Sequence, residues 1–182
     1  MNKALPGLLV SSLLTTAFAY AEVNPNDTAA TLSVTGEVTH VFSCAVNLSK
    51  QSVSLNKNAD DLHTQNSALA SDILDVVDIT VDGDAECSEM ALNQQIAYKL
   101  LGTADNADGI SLANNDLSEG AAKGIGINLY DIRDNHIVRV NQDNLNTVGT
   151  TAHLGLGLVK LTGQEVTAGS LQSSLVVQIE RL

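Results

Sequence analysis

The sequence predicts an all-β protein folded as a β-sandwich. Three observations support this prediction. About eight short segments alternate apolar and polar residues with a period of two, these segments are rich in Val, Ile and Thr, and clusters of Asn, Asp and Gly separate them. No long segment has the periodicity of an extended helix. Many short strands separated by turn residues are typical of a sandwich.

The alternating segments give the predicted strands in order. Val53 and Leu55 mark a short one, Ile96 and Leu100 a longer one, and β-branched residues dominate most of the others. The predicted strands are 31–41, 51–56, 73–81, 95–101, 125–130, 137–140, 151–162 and 171–182. The predicted turns and loops are 56–61, 104–109, 114–120, 131–135, 141–146 and 163–169, and residues 58–72 are compatible with a helical turn.

The first 21 residues have the pattern of a secretory signal peptide. Lys3 provides a positive start, residues 5–14 are mostly apolar, and Ala19-Tyr20-Ala21 is a small-x-small cleavage signal, with Ala17-Phe18-Ala19 as a second possible site. The apolar run is too short and too interrupted for a membrane span. The alternative is a buried N-terminal helix. Cleavage after Ala21 leaves 161 residues, enough for one domain with its own core.

Charge and composition exclude several classes of partner. Of the nine Lys and Arg residues one lies in the signal peptide, whereas none of the 21 Asp and Glu residues does, so the remaining chain has a formal charge of −13. Nucleic acid and anionic lipid would be repelled by this charge. The aromatic residues of this part, Phe42, Tyr98 and Tyr130, are too few for a base-stacking platform. We therefore expect neither nucleic-acid binding nor membrane insertion.

The two cysteines, Cys44 and Cys87, point to one disulfide bond. An even number of cysteines in a secreted chain is typical of pairing in an oxidising compartment. The alternative is a pair of buried free thiols.

Several motifs resemble those of type 1 fimbrial (pilin) subunits of the chaperone-usher family. The segments Thr35-Gly36-Glu37-Val38 and Ser43-Cys44-Ala45-Val46 resemble the family's opening around its first cysteine. Residues 77–87 are similar to the strand that leads into its second cysteine, and 98–103 to the apolar run and glycine that follow it. The sequence Gly-Ile-Gly-Ile-Asn-Leu-Tyr-Asp at 124–131 and the position of Gly169 before the last strand complete the resemblance. One departure is Arg181, where the family usually has a tyrosine.

The resemblance implies an incomplete immunoglobulin-like sandwich that lacks its last strand and carries an N-terminal donor-strand arm. The implied organisation is a signal peptide at 1–21, an arm at 22–35 and a pilin domain at 36–182. Thr28, Ala30, Leu32 and Val34 lie at alternate positions and would present one face of the arm to a neighbour's groove. The alternative is that they begin an ordinary first strand. The acceptor groove would be bounded by the C-terminal strand, with Gly169, Leu175, Val177 and Ile179 as its candidate residues.

The function implied is that of a structural subunit of a surface fimbria, polymerised by donor-strand exchange and contributing to cell adhesion. The implied partners are neighbouring pilin subunits, a periplasmic pilus chaperone and an outer-membrane usher, and the implied location is the fimbrium, after transit through the periplasm. A tip adaptor or a small adhesive pilin is the first alternative. A secreted metal-dependent sandwich enzyme is the second.

The residues give little support to an enzyme, and we expect no cofactor and no metal. His40, His63, His136 and His153 have no metal-ligand spacing. The acidic loop that starts at Asp105 lacks the alternate acids and the final glutamate of a calcium loop. The glycine pair at 124 and 126 opens a predicted strand rather than a helix, which argues against a dinucleotide loop. No nucleophile-elbow motif is present.

Overall fold

The computed structural model describes residues 32–33, 35–38 and 42–182. The chain divides into two units, residues 1–39 and 40–182, and the described strands lie in the second. They are β1 (Cys44–Leu48), β2 (Asp75–Gly83), β3 (Ile96–Gly102), β4 (Leu112–Ala113), β5 (Ile125–Asp131), β6 (His136–Ile137), β7 (Asn144–Asn146), β8 (Thr151–Lys160) and β9 (Leu175–Arg181). One helix, α1 (Ala85–Leu92), follows β2, and two 3₁₀ turns occupy Ala59–Asp61 and Ala70–Asp72.

The strands form two antiparallel sheets. The larger has the order β1-β2-β8-β5-β4, with β6 also paired to β5, and the smaller has the order β7-β3-β9. Alternate residues of each strand face the space between the sheets, where one cluster of buried side chains forms the main core. The predicted all-β sandwich is confirmed.

Strand β5 is buried on both faces. Ile127 and Leu129 belong to the main core, and the side chain of Asn128, on the opposite face, donates a hydrogen bond to the carbonyl oxygen of Gln65 at 2.8 Å. The connection between β1 and β2, in which Gln65 lies, therefore covers the outer face of this central strand. Burial on both faces requires every polar side chain there to find a partner, as Asn128 does.

Helix α1 was not predicted. The predicted strand 73–81 corresponds to β2, and the segment 77–87, which resembles a strand leading into the second cysteine, is a strand only as far as Gly83. Strand β2 ends at Gly83, Asp84 occupies the cap position, and Cys87 lies one turn into the helix. The eight residues of α1 are mostly good helix formers, but so short a segment has no clear hydrophobic period. Strand β7 lies within the predicted loop 141–146. Its three residues form a strand by pairing with β3, and the local sequence gives no sign of that pairing. Across the described part of the chain, no helix is long and apolar enough to cross a membrane.

Candidate functional site

A long apolar groove of about 910 Å³ opens between the two sheets. One rim is the extended segment 50–57, which follows β1, and the other is the segment 168–177, which leads into β9. Its floor is made of core side chains from the larger sheet: Val77, Leu112, Ile125, Ile127, Leu154, Leu156 and Leu158. The groove therefore exposes a strip of the main core between two polypeptide edges.

The first rim has the side-chain alternation of a strand but no strand partner. Val53 and Leu55 point inward and are half-buried, while Ser52, Ser54 and Asn56 beside them are exposed. The last main-chain hydrogen bond before this segment runs from Ser49 N–H to the carbonyl oxygen of Asp78, at 2.9 Å. Within residues 42–182, the main chain of 50–57 makes no hydrogen bond to another main-chain group. The predicted strand 51–56 is thus wrong as a paired strand, since the side on which it would pair faces the groove.

The second rim ends in an edge strand. Strand β9 pairs with β3 along its whole length, from Gly102 opposite Leu175 to Ile96 opposite Arg181, and within the described residues it has no partner on its other side. Leu171, Leu175 and Val177 line or border the groove and are half-buried. Alternate N–H and C=O groups of such an edge are free to pair with an added strand.

Gly169 marks one end of the second rim, where two backbones cross closely. A Cβ atom at this position would lie 2.3 Å from the carbonyl oxygen of Gly120 and 2.6 Å from the amide nitrogen of Ala122. Ser170 fixes the crossing, because its N–H donates to Gly120 O at 2.9 Å and its C=O accepts from Ala122 N–H at 2.8 Å. A side chain at position 169 would force the rim away from the domain.

The chain on either side of the sandwich comes together at the other end of β9, beyond the rims. The guanidinium of Arg181 lies 4.4 Å from the centroid of the Phe42 ring and donates to the Phe42 carbonyl oxygen at 3.2 Å. Close by, Cys44 forms a disulfide with Cys87, with a Cα–Cα distance of 5.7 Å, so the start of β1 is tied to α1. The disulfide predicted for a secreted chain is present in the structure.

A buried carboxylate holds the first rim in place. Asp72 is fully buried, and it receives hydrogen bonds from Ser67 Oγ at 2.7 Å and from Lys57 Nζ at 3.3 Å, while His63 Nδ1 lies 2.5 Å from its Oδ1. Burial alone would raise the pKa of Asp72, but the bonds from Ser67, His63 and Lys57 outweigh it and hold the pKa below its ordinary value. Because Lys57 lines the groove, this bond anchors the end of an otherwise unpaired rim.

The acidic loop that was compared with a calcium site is a backbone turn. The carboxylate of Asp105 accepts main-chain N–H bonds from Ala107, Asp108, Gly109 and Ser111, at 2.7 to 3.2 Å. Burial alone would raise the pKa of Asp105, but these four bonds outweigh burial and hold the pKa below its ordinary value. The carboxylate thus organises its own loop.

The predicted site residues fall into two groups. Leu175 and Val177 line the groove, Gly169 lies at its end, and Ile179 packs on the core beyond it. In the arm, Leu32 is 84% exposed, whereas Thr28, Ala30 and Val34 lie outside the described residues, as do the predicted signal peptide and most of the arm. The prediction missed the opposite rim, namely Val53, Leu55 and Lys57. The alternation at 51–55 was visible in the sequence, but nothing in it showed that this segment borders an opening.

Comparison with protein families decides the assignment. A family model described as fimbrial protein matches residues 32–180. The chain belongs to the fimbrial protein family. Among solved structures, it is similar to the P pilus rod subunit PapA, at 16% identity, with 82% of this chain and 99% of that chain covered and a TM-score of 0.47. It is also similar to a subunit in the structure of a chaperone-usher pilus, at 16% identity, with 89% of this chain and 100% of that chain covered and a TM-score of 0.49. No curated protein matches.

Family membership establishes the general role of this pilin. It is a structural subunit of a pilus and not an enzyme, it polymerises with other pilin subunits, and its place is a pilus on the cell surface.

Proposed function

We propose that this pilin polymerises by donor-strand exchange, in which residues 22–35 of one subunit fill the groove of the next. The observation that carries the proposal is the groove itself, an exposed strip of core between two backbone edges, neither of which has a partner on the groove side within the described residues. An added strand would bond to both edges at once. Such β-augmentation derives affinity from the main chain and specificity from alternate side chains.

The arm has the composition that the groove requires. Thr28, Ala30, Leu32 and Val34 occupy alternate positions, so in an extended arm they share one face. The half-buried residues of the two rims also alternate, as at Val53 and Leu55. Burying the side chains of Leu32 and Val34 contributes on the order of 1.5–3 kcal/mol each. Asp27 points to the opposite face of an extended arm, and Glu22 lies six residues before the first of these positions.

An empty groove is also a liability, which is why we propose a chaperone and an usher as further partners. Unpaired strand edges beside exposed core promote aggregation. A subunit secreted through its signal peptide at 1–21 would meet this hazard in the periplasm, where its disulfide forms. A periplasmic chaperone would fill the groove until the outer-membrane usher exchanges it for the arm of the next subunit. The single-domain length suits a repeating shaft subunit, whose contribution to adhesion is to carry the filament.

Deletion of residues 22–31 with the signal peptide retained tests this proposal. The shortened subunit should still fold with its chaperone and accept an arm, but it cannot donate one, so each filament should end at the subunit that lacks its arm. Filament length measured by electron microscopy should fall as the fraction of shortened subunit rises. If filaments of normal length form from the shortened subunit alone, the arm is not the donor. Loss of the monomer itself would mean that residues 22–31 belong to their own domain.

A further inference from the structure

The first rim of the groove, residues 50–57, has the sequence pattern of a strand that the single subunit does not form. Val53 and Leu55 alternate with polar residues, which predicted a strand at 51–56. Within residues 42–182, however, the main chain of this rim makes no hydrogen bond to another main-chain group. Its N–H and C=O groups are therefore free to pair with a strand that comes from outside the domain.

The second rim, in contrast, already contains a finished strand. The N–H of Leu182 donates to the carbonyl oxygen of Gln95 at 2.9 Å, so in this antiparallel register the even-numbered residues of β9 bond to β3. Leu175, Val177 and Ile179 consequently direct their N–H and C=O groups toward the groove. The groove thus has one edge fixed by a strand ladder and one edge without a ladder.

Two lysines attach the first rim to the domain. Within residues 42–182, the only hydrogen bonds of segment 50–57 are those of its end residues: Lys50 Nζ bonds to Asp75, and Lys57 Nζ donates to Asp72 at 3.3 Å. Asp75 is the first residue of β2, and Asp72 lies three residues before it. Both ends of the rim are therefore tied to the same short part of the domain.

The two ion pairs differ in burial. The exposed fractions of the side chains are 44% for Lys50 and 28% for Asp75, but 12% for Lys57 and 0% for Asp72. An exposed pair contributes little, because water and salt compete for both charges. The buried carboxylate is also held by Ser67, and removal of Lys57 would leave it without its ion-pair partner in the rim. The Lys57–Asp72 pair therefore determines where the first rim lies.

We propose that the Lys57–Asp72 pair positions segment 50–57 so that it becomes a strand when the arm of the next subunit enters the groove. This role rests on the donor-strand exchange proposed above. Lys57 and Asp72 act through the main chain of the rim, and β9 serves as the fixed edge. Hydrogen bonds weaken steeply with misalignment, so a rim displaced by about 1 Å loses its bonds to the arm while β9 keeps its own.

Hydrogen–deuterium exchange in assembled filaments, resolved to single residues by fragmentation in the mass spectrometer, tests this role. In wild-type filaments, amides of segment 50–57 and those of Leu175, Val177 and Ile179 should both exchange slowly. Lys57→Met keeps the length of the side chain but cannot pair with Asp72. Exchange in 50–57 should then rise about tenfold, with a much smaller change in β9. Asp72→Asn removes the same pair from the other side and should act alike.

Two further variants serve as controls. Lys57→Arg retains the charge and should restore slow exchange in 50–57, whereas Lys50→Met removes only the exposed pair and should change exchange by less than about twofold. Slow exchange in Lys57→Met, an equal rise in both edges, or an equal effect of Lys50→Met would overturn the positioning role.

The wild-type filaments separate this role from the proposed function. Fast exchange in 50–57 beside slow exchange at Leu175, Val177 and Ile179 would mean that the arm pairs with β9 alone, which overturns the positioning role and leaves donor-strand exchange in place. Fast exchange at both edges would overturn donor-strand exchange itself.

Discussion

Arg181 stacks on Phe42 with its guanidinium carbon 4.4 Å from the ring centroid, and this contact joins the end of β9 to the residues that precede β1. Strands β1 and β9 belong to different sheets, so the pair links the two sheets where β1 begins and β9 ends. The same guanidinium donates to the Phe42 carbonyl oxygen. Arg181 stands where fimbrial subunits usually have a tyrosine, and the structure shows that it uses an aromatic contact to hold two sheets together.

Replacing Arg181 by alanine should loosen this end of the domain. An exposed cation–π contact is worth about 0.5–1 kcal/mol, and the hydrogen bond adds about 1 kcal/mol. The expected loss of about 1–2 kcal/mol should appear as a lower midpoint in denaturant unfolding of the soluble subunit. Arg181→Tyr is the matched variant, because a tyrosine ring can still pack on Phe42 and should retain part of the stability. An unchanged midpoint in Arg181→Ala would show that the contact with Phe42 contributes nothing.

The disulfide should contribute a large share of the domain's stability. It closes a loop of 43 residues, for which chain entropy gives roughly 4 kcal/mol. Cys44→Ser should therefore reduce the amount of subunit that reaches the surface, as measured by immunoblot of sheared filaments. The double variant Cys44→Ser/Cys87→Ser should behave alike, which separates loss of the bond from the reactivity of a lone thiol. Two reactive thiols per unreduced wild-type chain would contradict the bridge.

The register of β9 predicts opposite effects of the same substitution at neighbouring positions. Val177 lines the groove and is half-buried, whereas Val176 is 61% exposed on the other face. Val177→Asp would place an unpaired carboxylate against the core, at a cost of several kcal/mol. We expect this variant to disappear from the periplasm and Val176→Asp to accumulate normally, as quantified in periplasmic extracts. If both variants accumulate and polymerise, Val177 does not face the groove.

Asp72 should make the groove rim sensitive to acid. Its pKa is held below its ordinary value in the folded protein, so the stabilisation from its bonds to Ser67, His63 and Lys57 is fully present above about pH 5 and is lost as the pH falls through the folded pKa. Denaturant midpoints measured from pH 7 to pH 3 should therefore show wild type and Asp72→Asn converging below about pH 4. Lys57→Met should lose part of the same stability at pH 7. A constant gap between wild type and Asp72→Asn over this range would contradict the anchoring role.

The strands that the sequence predicted best are those whose residues alternate between core and surface. Strands β2 and β9 show this clearly, with Val77 or Val177 inward and Asp78 or Gln178 outward. The segment 51–56 has the same alternation, and it failed as a strand because pairing depends on a neighbour and not on its own residues. The groove could not be predicted from these residues for the same reason. The groove exists because none of the described strands pairs with the free edge of β9. Only the resemblance to fimbrial subunits suggested this opening.

Leu32 provides the sharpest test of the donor arm, because it can be changed without touching the domain that folds. Leu32 is 84% exposed in its own chain, so Leu32→Asp should leave the stability of the subunit unchanged. In a neighbour's groove, however, the aspartate would have to give up its hydration among apolar side chains, at a cost of several kcal/mol. We therefore expect the chaperone complex to form normally and polymer yield to fall by at least tenfold. Ser33→Asp is the matched control, since in an extended arm Ser33 points to the opposite face and should polymerise like wild type. Size-exclusion chromatography of the periplasmic complex and electron microscopy of surface filaments give the two readouts. Wild-type polymer from Leu32→Asp would remove Leu32 from the donor face, and loss of the chaperone complex would favour a strand within its own domain.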